Sequence, residues 1–490
     1  MKKIYFLLSV LLCASVFSCQ KDPVETDEPA DNPSQEEEEL QKKLQANRYV
    51  MKQYHDQLFP YYFWYDDVIS TVNKLDYQSF STVSQYFDAT LHESDRWSWM
   101  ADADYYISMM TGVAEKTYGA TLLQPIDYYN DYSIYVAMIY PESPLARHGV
   151  TRGWKLTHLG GVPVMDLVRD NKFNKEWAKT NQELTFKDLD DSVHTFVESP
   201  ADALNENPCL VSKIFGPDDY PGLTGKVGYF HYTSFVAQFN GCIDSIMLSF
   251  HDAGVNEMIV DLRYNGGGDV TALNALAGYL APKSADGEVL QRTIHNTALS
   301  FNDSKEILSV PENSLTLDRL FVIISENSAS SSECLINGLR PYMDVNLVGR
   351  QSHGKPNGMY VLLYPCSDAD YARYDRGDYS KLLYMFLPIA FFNKNSLNES
   401  IPNDGFVPDN DRPDDLYHDF GVEEDNIRAC LEMIVNGSYP TLPERSYYAP
   451  TRSSVEACVL ADPNKENPLY GNIIKPVPDE IRRKFQNGEN

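Results

Sequence analysis

The most constraining feature of the chain is an alternation of apolar runs and helical segments between residues 205 and 437. Two runs, Glu257–Leu262 and Leu320–Ile324, are almost continuously apolar, which is typical of parallel strands buried on both faces. Amphipathic or helix-favouring segments follow the strands, and they predict helices over Phe239–Phe250, Val270–Leu280 and Ser331–Arg340. The alternation predicts an α/β core, whose sites lie at the turns that follow its strands.

A glycine-rich turn follows the first buried strand, with the sequence D-L-R-Y-N-G-G-G-D over residues 261–269. Successive glycines let the backbone approach a ligand closely, and the turn opens a helix whose dipole favours a negative atom. The pattern suits an oxyanion hole. Phosphate binding is the rival interpretation, but neither GxxxxGK[ST] nor GxGxxG is present. A tight turn without a binding role is the third interpretation.

A serine-rich turn, S-E-N-S-A-S-S-S-E over residues 325–333, follows the second buried strand and leads into a helix. Such a turn alone is most often a helix cap, because a free serine hydroxyl is a weak nucleophile that needs a base. Residues 351–358, Q-S-H-G-K-P-N-G, follow the next short strand.

These turns together resemble those of the C-terminal processing peptidases, also called tail-specific proteases. In that family an S-A-S-x-S-E turn carries the nucleophile, and a G-K-G turn 25 residues later carries a lysine base. Here S-A-S-S-S-E begins at Ser328, and Lys355 lies 25 residues after Ser330. Three more family motifs occur in the expected order: G-K-V-G-Y at 225–229 with Phe235 after it, D-L-R-x-N-x-G-G at 261–268, and D-G-F-V-P-D at 404–409. The resemblance covers residues 40–435.

The resemblance implies a ClpP/crotonase-like α/β catalytic core over residues 205–437. Ser330 would attack a peptide carbonyl, Lys355 would be the general base, and the N–H groups of Gly267 and Ser331 would hold the oxyanion. For this role burial must lower the pKa of Lys355 by about three units.

Some positions depart from the family pattern. Pro356 replaces the second glycine of the lysine turn, and Met359 and Pro341 stand where some members carry a third catalytic residue. The expectation is therefore a Ser–Lys dyad without an identified third member. A Ser–His pair through His353 remains an alternative.

Residues 104–200 contain short β-rich runs between turn residues, namely Tyr105–Met109, Ala120–Leu123, Ser133–Met138, Leu156–Leu159 and Val193–Val197. The stretch from Ser143 to Val164 resembles the PDZ domains of proteases, with Trp154 in place of the usual aspartate. The resemblance implies a groove where a peptide adds as a strand and its carboxylate meets backbone N–H groups. The expected carboxylate loop is Tyr118-Gly119-Ala120. The alternative is a small β domain that only braces its neighbours.

The N-terminal residues predict export. Lys2 and Lys3 precede an apolar run that ends at Phe17, which is the pattern of a secretory signal over residues 1–18. The sequence V-F-S-C resembles a bacterial lipobox and predicts lipidation of Cys19; plain secretion is the alternative. Residues 19–39 predict an acidic tether, 40–103 a small helical domain rich in aromatic residues, and 438–490 an irregular extension.

Charge and composition argue against further classes of function. A net charge of −29 argues against a general nucleic-acid binder. The cysteines form no CxxC motif, and we expect no metal or other cofactor. The leading hypothesis is a serine endopeptidase, lipid-anchored in a bacterial envelope, that cleaves exported or envelope proteins near their C-termini. Its substrates would be polypeptides with free C-termini. A non-catalytic peptide- or ligand-binding protein and a PDZ-built scaffold are the alternatives. No feature predicts the oligomeric state.

Overall fold

The computed structural model describes residues 35–57, 61–110, 116–124, 133–202, 204–441, 458–461 and 473–476. The predicted signal at residues 1–18, Cys19 and most of the acidic tether lie outside these ranges. The chain divides into two compact units, Met1–Asn47 and Arg48–Asn490. No helix within the described ranges combines the length and the apolar character needed to cross a bilayer.

The α-helices, numbered along the chain, are α1 (Gln35–Gln57), α2 (Tyr65–Val72), α3 (Val83–Thr90), α4 (Ala103–Met110), α5 (Val164–Arg169), α6 (Phe173–Trp177), α7 (Asn240–Ala253), α8 (Val270–Leu280), α9 (Ser331–Leu339), α10 (Asp368–Tyr374) and α11 (Asp425–Asn436). The expected helices of the catalytic core correspond to α7, α8 and α9, with shifts of at most three residues at their ends.

The strands, numbered in the same way, are β1 (Trp99–Asp102), β2 (Ala120–Gln124), β3 (Ile134–Ile139), β4 (Lys155–Leu159), β5 (Val162–Pro163), β6 (Gln182–Lys187), β7 (Val193–Glu198), β8 (Cys209–Phe215), β9 (Lys226–Tyr232), β10 (Val255–Asp261), β11 (Val289–His295), β12 (Ser304–Ile307), β13 (Arg319–Ile324), β14 (Asp344–Gly349), β15 (Asn357–Tyr364), β16 (Tyr384–Leu387), β17 (Ile389–Lys394), β18 (Asn410–Asp411), β19 (Cys458–Ala461) and β20 (Ile473–Pro476).

A six-stranded sheet in the order β18-β14-β13-β10-β9-β8 positions the functional turns. Its strands are parallel except β8, which pairs antiparallel with β9. Alternate residues of β13 enter two different hydrophobic cores: Val322 belongs to one, and Phe321 and Ile323 belong to the other. The sheet is thus buried on both faces, and the expected mixed α/β fold is confirmed.

A second sheet, in the order β1-β16-β15-β17-β11-β12, differs from expectation because it takes a strand from the N-terminal region. β1 pairs antiparallel with β16, and the ring of Tyr54 on α1 lies 4.5 Å from that of Phe386 in an edge-on contact. The sequence predicts a separate helical domain over residues 40–103. In the structure, residues 48–103 instead contribute a strand to this sheet and side chains to its core. Tyr54, Tyr62 and Phe87 belong to the same hydrophobic core as Tyr364 of β15 and Phe386 of β16.

The third sheet, in the order β19-β2-β3-β4-β6-β7 with β5 beside β4, comes mainly from residues 120–198. Four of the five β-rich runs are strands at nearly the expected bounds. The prediction of a strand over Tyr105–Met109 is wrong, because this run lies in helix α4, which has Asp104 in its first turn. An acidic residue there favours a helix through the helix dipole.

The C-terminal extension also differs from expectation. Residues 438–490 predict irregular structure, yet Cys458–Ala461 and Ile473–Pro476 are strands that join two different sheets. β19 pairs with β2, and β20 pairs with β15.

Candidate active site

Ser330 lies at the junction between β13 and α9, in a backbone conformation that is rare for a residue with a side chain. Its φ is 56° and its ψ is −112°, a conformation that costs roughly 1–3 kcal/mol and occurs often at active sites. Backbone bonds hold it there: the Cys334 N–H donates to the Ser330 carbonyl at 2.7 Å. The Ser330 hydroxyl is fully buried and has no hydrogen-bond partner among the described residues. It is therefore available to a reacting group.

Three other serines of this turn connect it to the glycine-rich turn. Three hydroxyls each donate a 2.8 Å hydrogen bond to a carbonyl: Ser328 to Leu262, Ser331 to Gly268, and Ser332 to Asn265. Ser325 Oγ instead accepts the Asn327 N–H at 3.2 Å within the turn. Ser330 is therefore the serine of this turn whose buried hydroxyl has no hydrogen-bond partner among the described residues.

Gly267 lies directly against the Ser330 turn. Its φ is +110°, and a Cβ built on it would come within 2.8 Å of the Ser331 nitrogen and 2.9 Å of Ser330 Cβ, so a larger residue would clash. The two expected oxyanion donors, Gly267 and Ser331, are therefore neighbours. In this state the Gly267 N–H donates to Asn265 Oδ1 at 2.9 Å.

Glu333, in the first turn of α9, holds the serine and lysine turns together. Its Oε2 accepts the backbone N–H groups of Ser330 at 3.2 Å and Lys355 at 2.8 Å. Its Oε1 accepts the Ser352 hydroxyl at 2.6 Å and the Gly354 N–H at 2.7 Å. Burial raises the pKa of Glu333, and these four hydrogen bonds oppose the rise. Because one oxygen binds both amides, the backbones of Ser330 and Lys355 are adjacent.

The lysine turn is also connected to the D-G-F-V-P-D motif. The Ser352 N–H donates to the Phe406 carbonyl at 3.1 Å, and the Phe406 N–H donates to Ser352 Oγ at 2.7 Å. The last motif of the sequence pattern therefore supports the segment that carries the lysine.

The amine of Lys355 is strongly desolvated. Lys355 as a whole is 6% exposed, and burial lowers the pKa of its amine to about 7, although the Glu333 charge opposes the shift. A large fraction of the amine is thus neutral near pH 7, as a general base requires. The alternative base, His353, has an exposed side chain, while Ser330 is buried.

Asn357, two residues after Lys355, is a polar residue that the sequence interpretation missed. It is fully buried, and neither its amide nitrogen nor its amide oxygen has a hydrogen-bond partner in the described structure. An extended chain places residues i and i+2 on the same face, a spacing that could have indicated it. Met359 stands where some family members carry a third catalytic residue. Here it is buried among the apolar residues of the second sheet.

A buried network of ion pairs includes two residues of the glycine-rich turn, Asp261 and Arg263. Arg263 lies 2.6 Å from Asp261 and 2.7 Å from both Asp414 and Glu424, and Arg152 lies 2.7 Å from the same Asp414. Burial alone would raise the pKa of Asp261, but the charges of Arg263 and His231 and the hydrogen bonds from Arg263 and Tyr229 together lower that pKa to about 2. Because Arg152 comes from the β-rich region and Arg263 from the turn itself, the network couples the two regions.

Replacing Arg152 with methionine should lower the free energy of unfolding by about 3 kcal/mol, because it removes one partner of a buried ion pair. Arg147 is a matched control in the same region: its side chain is 57% exposed and pairs with Glu198 at 3.5 Å. Arg147→Met should change stability by less than about 1 kcal/mol. Urea unfolding measures both, and equal effects would contradict the prediction.

The expected carboxylate loop lies at the start of β2. The Gly119 N–H donates to Thr117 Oγ1 at 2.9 Å, and Ala120 opens the pairing of β2 with β3. Tyr118 is buried, and its hydroxyl donates to the Lys179 carbonyl at 3.2 Å. The end of β2 lies beside α5, where Gln124 Nε2 donates to Met165 Sδ at 3.4 Å. A strand edge and a helix are thus close together here.

Metal-binding and disulfide chemistry are not features of the described residues. No group of three or more His, Cys, Asp or Glu side chains is arranged there to hold a metal ion. The cysteines with described side chains, Cys209, Cys242, Cys334, Cys366 and Cys430, are free thiols.

Comparisons with known proteins agree with this geometry. Residues 226–384 match the model of Peptidase family S41. The chain is 28% identical to Carboxyl-terminal-processing peptidase 3, chloroplastic, of Arabidopsis thaliana over 222 residues, which are 44% of this chain and 41% of that protein. It is 23% identical to a protein of Staphylococcus epidermidis named "Probable CtpA-like serine protease" over 275 residues, which are 53% of this chain and 50% of that one. The chain thus spans two fifths to one half of these relatives.

A solved structure shares the fold. A Bacteroides fragilis protein assigned to the S41 proteases superposes with a TM-score of 0.60 at 21% identity, over 78% of this chain and 96% of that one. Residues 226–384, which match the family model, contain the glycine-rich, serine-rich and lysine turns. They also contain the Glu333 contacts that join the serine-rich turn to the lysine turn. The likeness to peptidase family S41 thus rests on residues 226–384, the segment that carries these turns.

Proposed function

We propose that the protein is a serine endopeptidase in which Ser330 is the nucleophile and Lys355 the general base. The observation that carries the proposal is the Glu333 bridge between the two backbones, combined with an unpaired Ser330 hydroxyl and a lysine whose pKa is lowered to about 7. These features give a nucleophile and a neutral base in one buried place, which acyl transfer requires.

The reaction follows from these groups. The Lys355 amine accepts the Ser330 proton while Oγ attacks the peptide carbonyl carbon, and the carbonyl oxygen becomes an oxyanion. The N–H groups of Gly267 and Ser331 are the donors for that oxygen, and the bond from Gly267 to Asn265 must open or become shared. The Lys355 ammonium then protonates the leaving amine, and an acyl-enzyme remains. Water, deprotonated by the same lysine, attacks the ester and regenerates Ser330.

A fluorophosphonate probe tests the nucleophile. Peptide mass mapping should find the probe on Ser330, and labelling should be lost in Ser330→Ala and in Lys355→Ala. The exposed serine of α7 in Ser245→Ala is the matched control and should label as the wild type does. A folded wild-type protein that stays unlabelled and cleaves no casein, yet binds peptides, would identify a non-catalytic binding protein instead.

Asn357 supplies a separate test of the site. Asn357→Leu should raise the free energy of unfolding by about 1 kcal/mol, because an unpaired buried amide is costly. It should also lower kcat/KM by roughly tenfold or more, because an unsatisfied buried amide two residues after the proposed base is expected to serve a reacting group. Unchanged kcat/KM for casein would assign Asn357 a structural role only.

The substrate class in this proposal is polypeptides with free C-termini, captured by the PDZ-like region through β2 and Tyr118-Gly119-Ala120. The test compares two otherwise identical unstructured peptides, one ending in a carboxylate and one in an amide. The carboxylate peptide should be cleaved with the lower KM, and equal KM values would remove tail recognition while leaving the peptidase intact.

The proposal also includes export and anchoring in a bacterial envelope by lipid on Cys19. The support is the charged and apolar pattern of residues 1–18 followed by V-F-S-C. In a bacterial host, the full chain should incorporate labelled palmitate and fractionate with membranes, and Cys19→Ala should do neither. Membrane association of Cys19→Ala would contradict the lipid anchor.

A further inference from the structure

One C-terminal segment of the chain occupies the edge of β2. β19 (Cys458–Ala461) pairs antiparallel with β2, with Cys458 opposite Gln124 and Val459 opposite Leu123. The other edge of β2 pairs with β3, so β19 fills the open one. β2 begins at Ala120, the last residue of the expected carboxylate loop, and its end at Gln124 lies beside α5. Addition of an extended strand to such an edge is a general mode of peptide binding.

A second C-terminal segment occupies the edge of β15, the strand that follows the lysine turn. β20 (Ile473–Pro476) runs parallel to β15, with Ile473 opposite Gly358 and Ile474 opposite Met359. β17 at residues 357–359 and β16 at 362–364 pair with the same edge of β15, because their registers continue one another as a single antiparallel ladder. β20 therefore takes the opposite edge of β15. Gly358 is three residues from Lys355, or about 10 Å along an extended chain.

Both contacts are backbone pairings, so they require an extended polypeptide and little particular sequence. A segment of the same chain has a high effective concentration at such an edge, in the millimolar range for a short connection. It can therefore outcompete a dilute polypeptide from solution even when each four-residue pairing is weak.

We infer that the free edges of β2 and β15 are docking edges for an extended polypeptide, and that the chain's own segments 458–461 and 473–476 occupy them in cis. The inference rests on the proposed function, because an external substrate would need the same edges. Strand addition at β2 holds a polypeptide in the PDZ-like region, and strand addition at β15 directs it towards the lysine turn. The C-terminal extension is thus a built-in competitor of the substrate.

Paired proline substitutions test the inference in the full chain. Neighbouring residues of a strand direct their N–H groups to opposite sides, so prolines at two successive positions remove the donor that faces the partner strand. One variant carries Val459→Pro and Leu460→Pro, and a second carries Ile474→Pro and Lys475→Pro. The matched control carries Ser453→Pro and Ser454→Pro, outside both strands.

Hydrogen exchange read by mass spectrometry reports docking without any need for activity. Amides in residues 120–124 should exchange faster in the β19 variant, and amides in residues 357–364 faster in the β20 variant, while the control matches the wild type. Each proline variant should also hydrolyse casein about tenfold faster, which corresponds to an edge that is about 90% occupied in cis.

The outcomes separate this inference from the proposed function. Unchanged exchange in both strand variants overturns the inference, even if fluorophosphonate still labels Ser330. Faster exchange with unchanged casein hydrolysis in labelled protein keeps the pairings but overturns competition with substrate. If Ser330 is not labelled in any variant, the proposed function fails, and exchange still decides whether the segments dock.

Discussion

Replacing Lys355 with methionine is expected to lower kcat/KM for casein hydrolysis by a factor of about 10²–10⁴, the usual contribution of a positioned general base. Methionine fills a similar volume in a site where Lys355 as a whole is only 6% exposed. The loss should therefore reflect the missing amine and not a collapsed site. Circular dichroism and the unfolding midpoint check that the variant is folded.

The pH dependence of the wild type gives the same prediction a second readout. Burial lowers the pKa of Lys355 to about 7, so kcat/KM should rise with pH through that value as the amine becomes neutral. The unfolded chain keeps the ordinary lysine pKa of 10.5 and binds more protons between these values. Stability should thus increase from about pH 7 to pH 10.5, and Lys355→Met should lack this part of the slope. Identical slopes in the two proteins would contradict a buried amine.

Replacing Glu333 with glutamine is expected to weaken both the fold and the reaction. Each carboxylate oxygen accepts two hydrogen bonds. An amide places an NH₂ group against two of those donors in either orientation. Loss of two bonds to a buried charged acceptor should lower the free energy of unfolding by roughly 3 kcal/mol or more. Urea unfolding measures this change.

The pH profile distinguishes a positioning role of Glu333 from general loss of stability. The Glu333 charge raises the pKa of Lys355, so its removal should move the rising limb of kcat/KM below the wild-type midpoint near pH 7. Glu423→Gln, at an exposed carboxylate just before α11, is the matched control and should leave the limb in place. A lower kcat/KM with an unshifted limb would show that Glu333 does not act on the lysine.

The catalytic core could be predicted well because its signals are local. The bounds of α8 match expectation, and the glycine-rich and serine-rich turns follow buried strands that are visible as apolar runs. The role of Glu333 was harder to foresee. A glutamate three residues after a serine predicts a helix cap, and nothing local indicates that Ser352, Gly354 and Lys355 also donate to it.

Features that depend on contacts between distant residues could not be predicted. Arg152 gives no sign that it meets Asp414, because the two are brought together by separate regions of the fold. The strands β19 and β20 are four residues long, and their conformation depends on the edges they join. Proline and asparagine around them predict irregular structure, which the pairing partner overrides.

The pairing of β1 with β16 has a consequence for how the protein matures. Trp99 meets Leu387, so the second sheet cannot close until most of the polypeptide has emerged from the ribosome. Such long-range pairing is slow to form during folding. The strand that carries Asn357 belongs to this sheet, so the nascent chain stays incompletely assembled, and in our proposal inactive, until synthesis is almost complete.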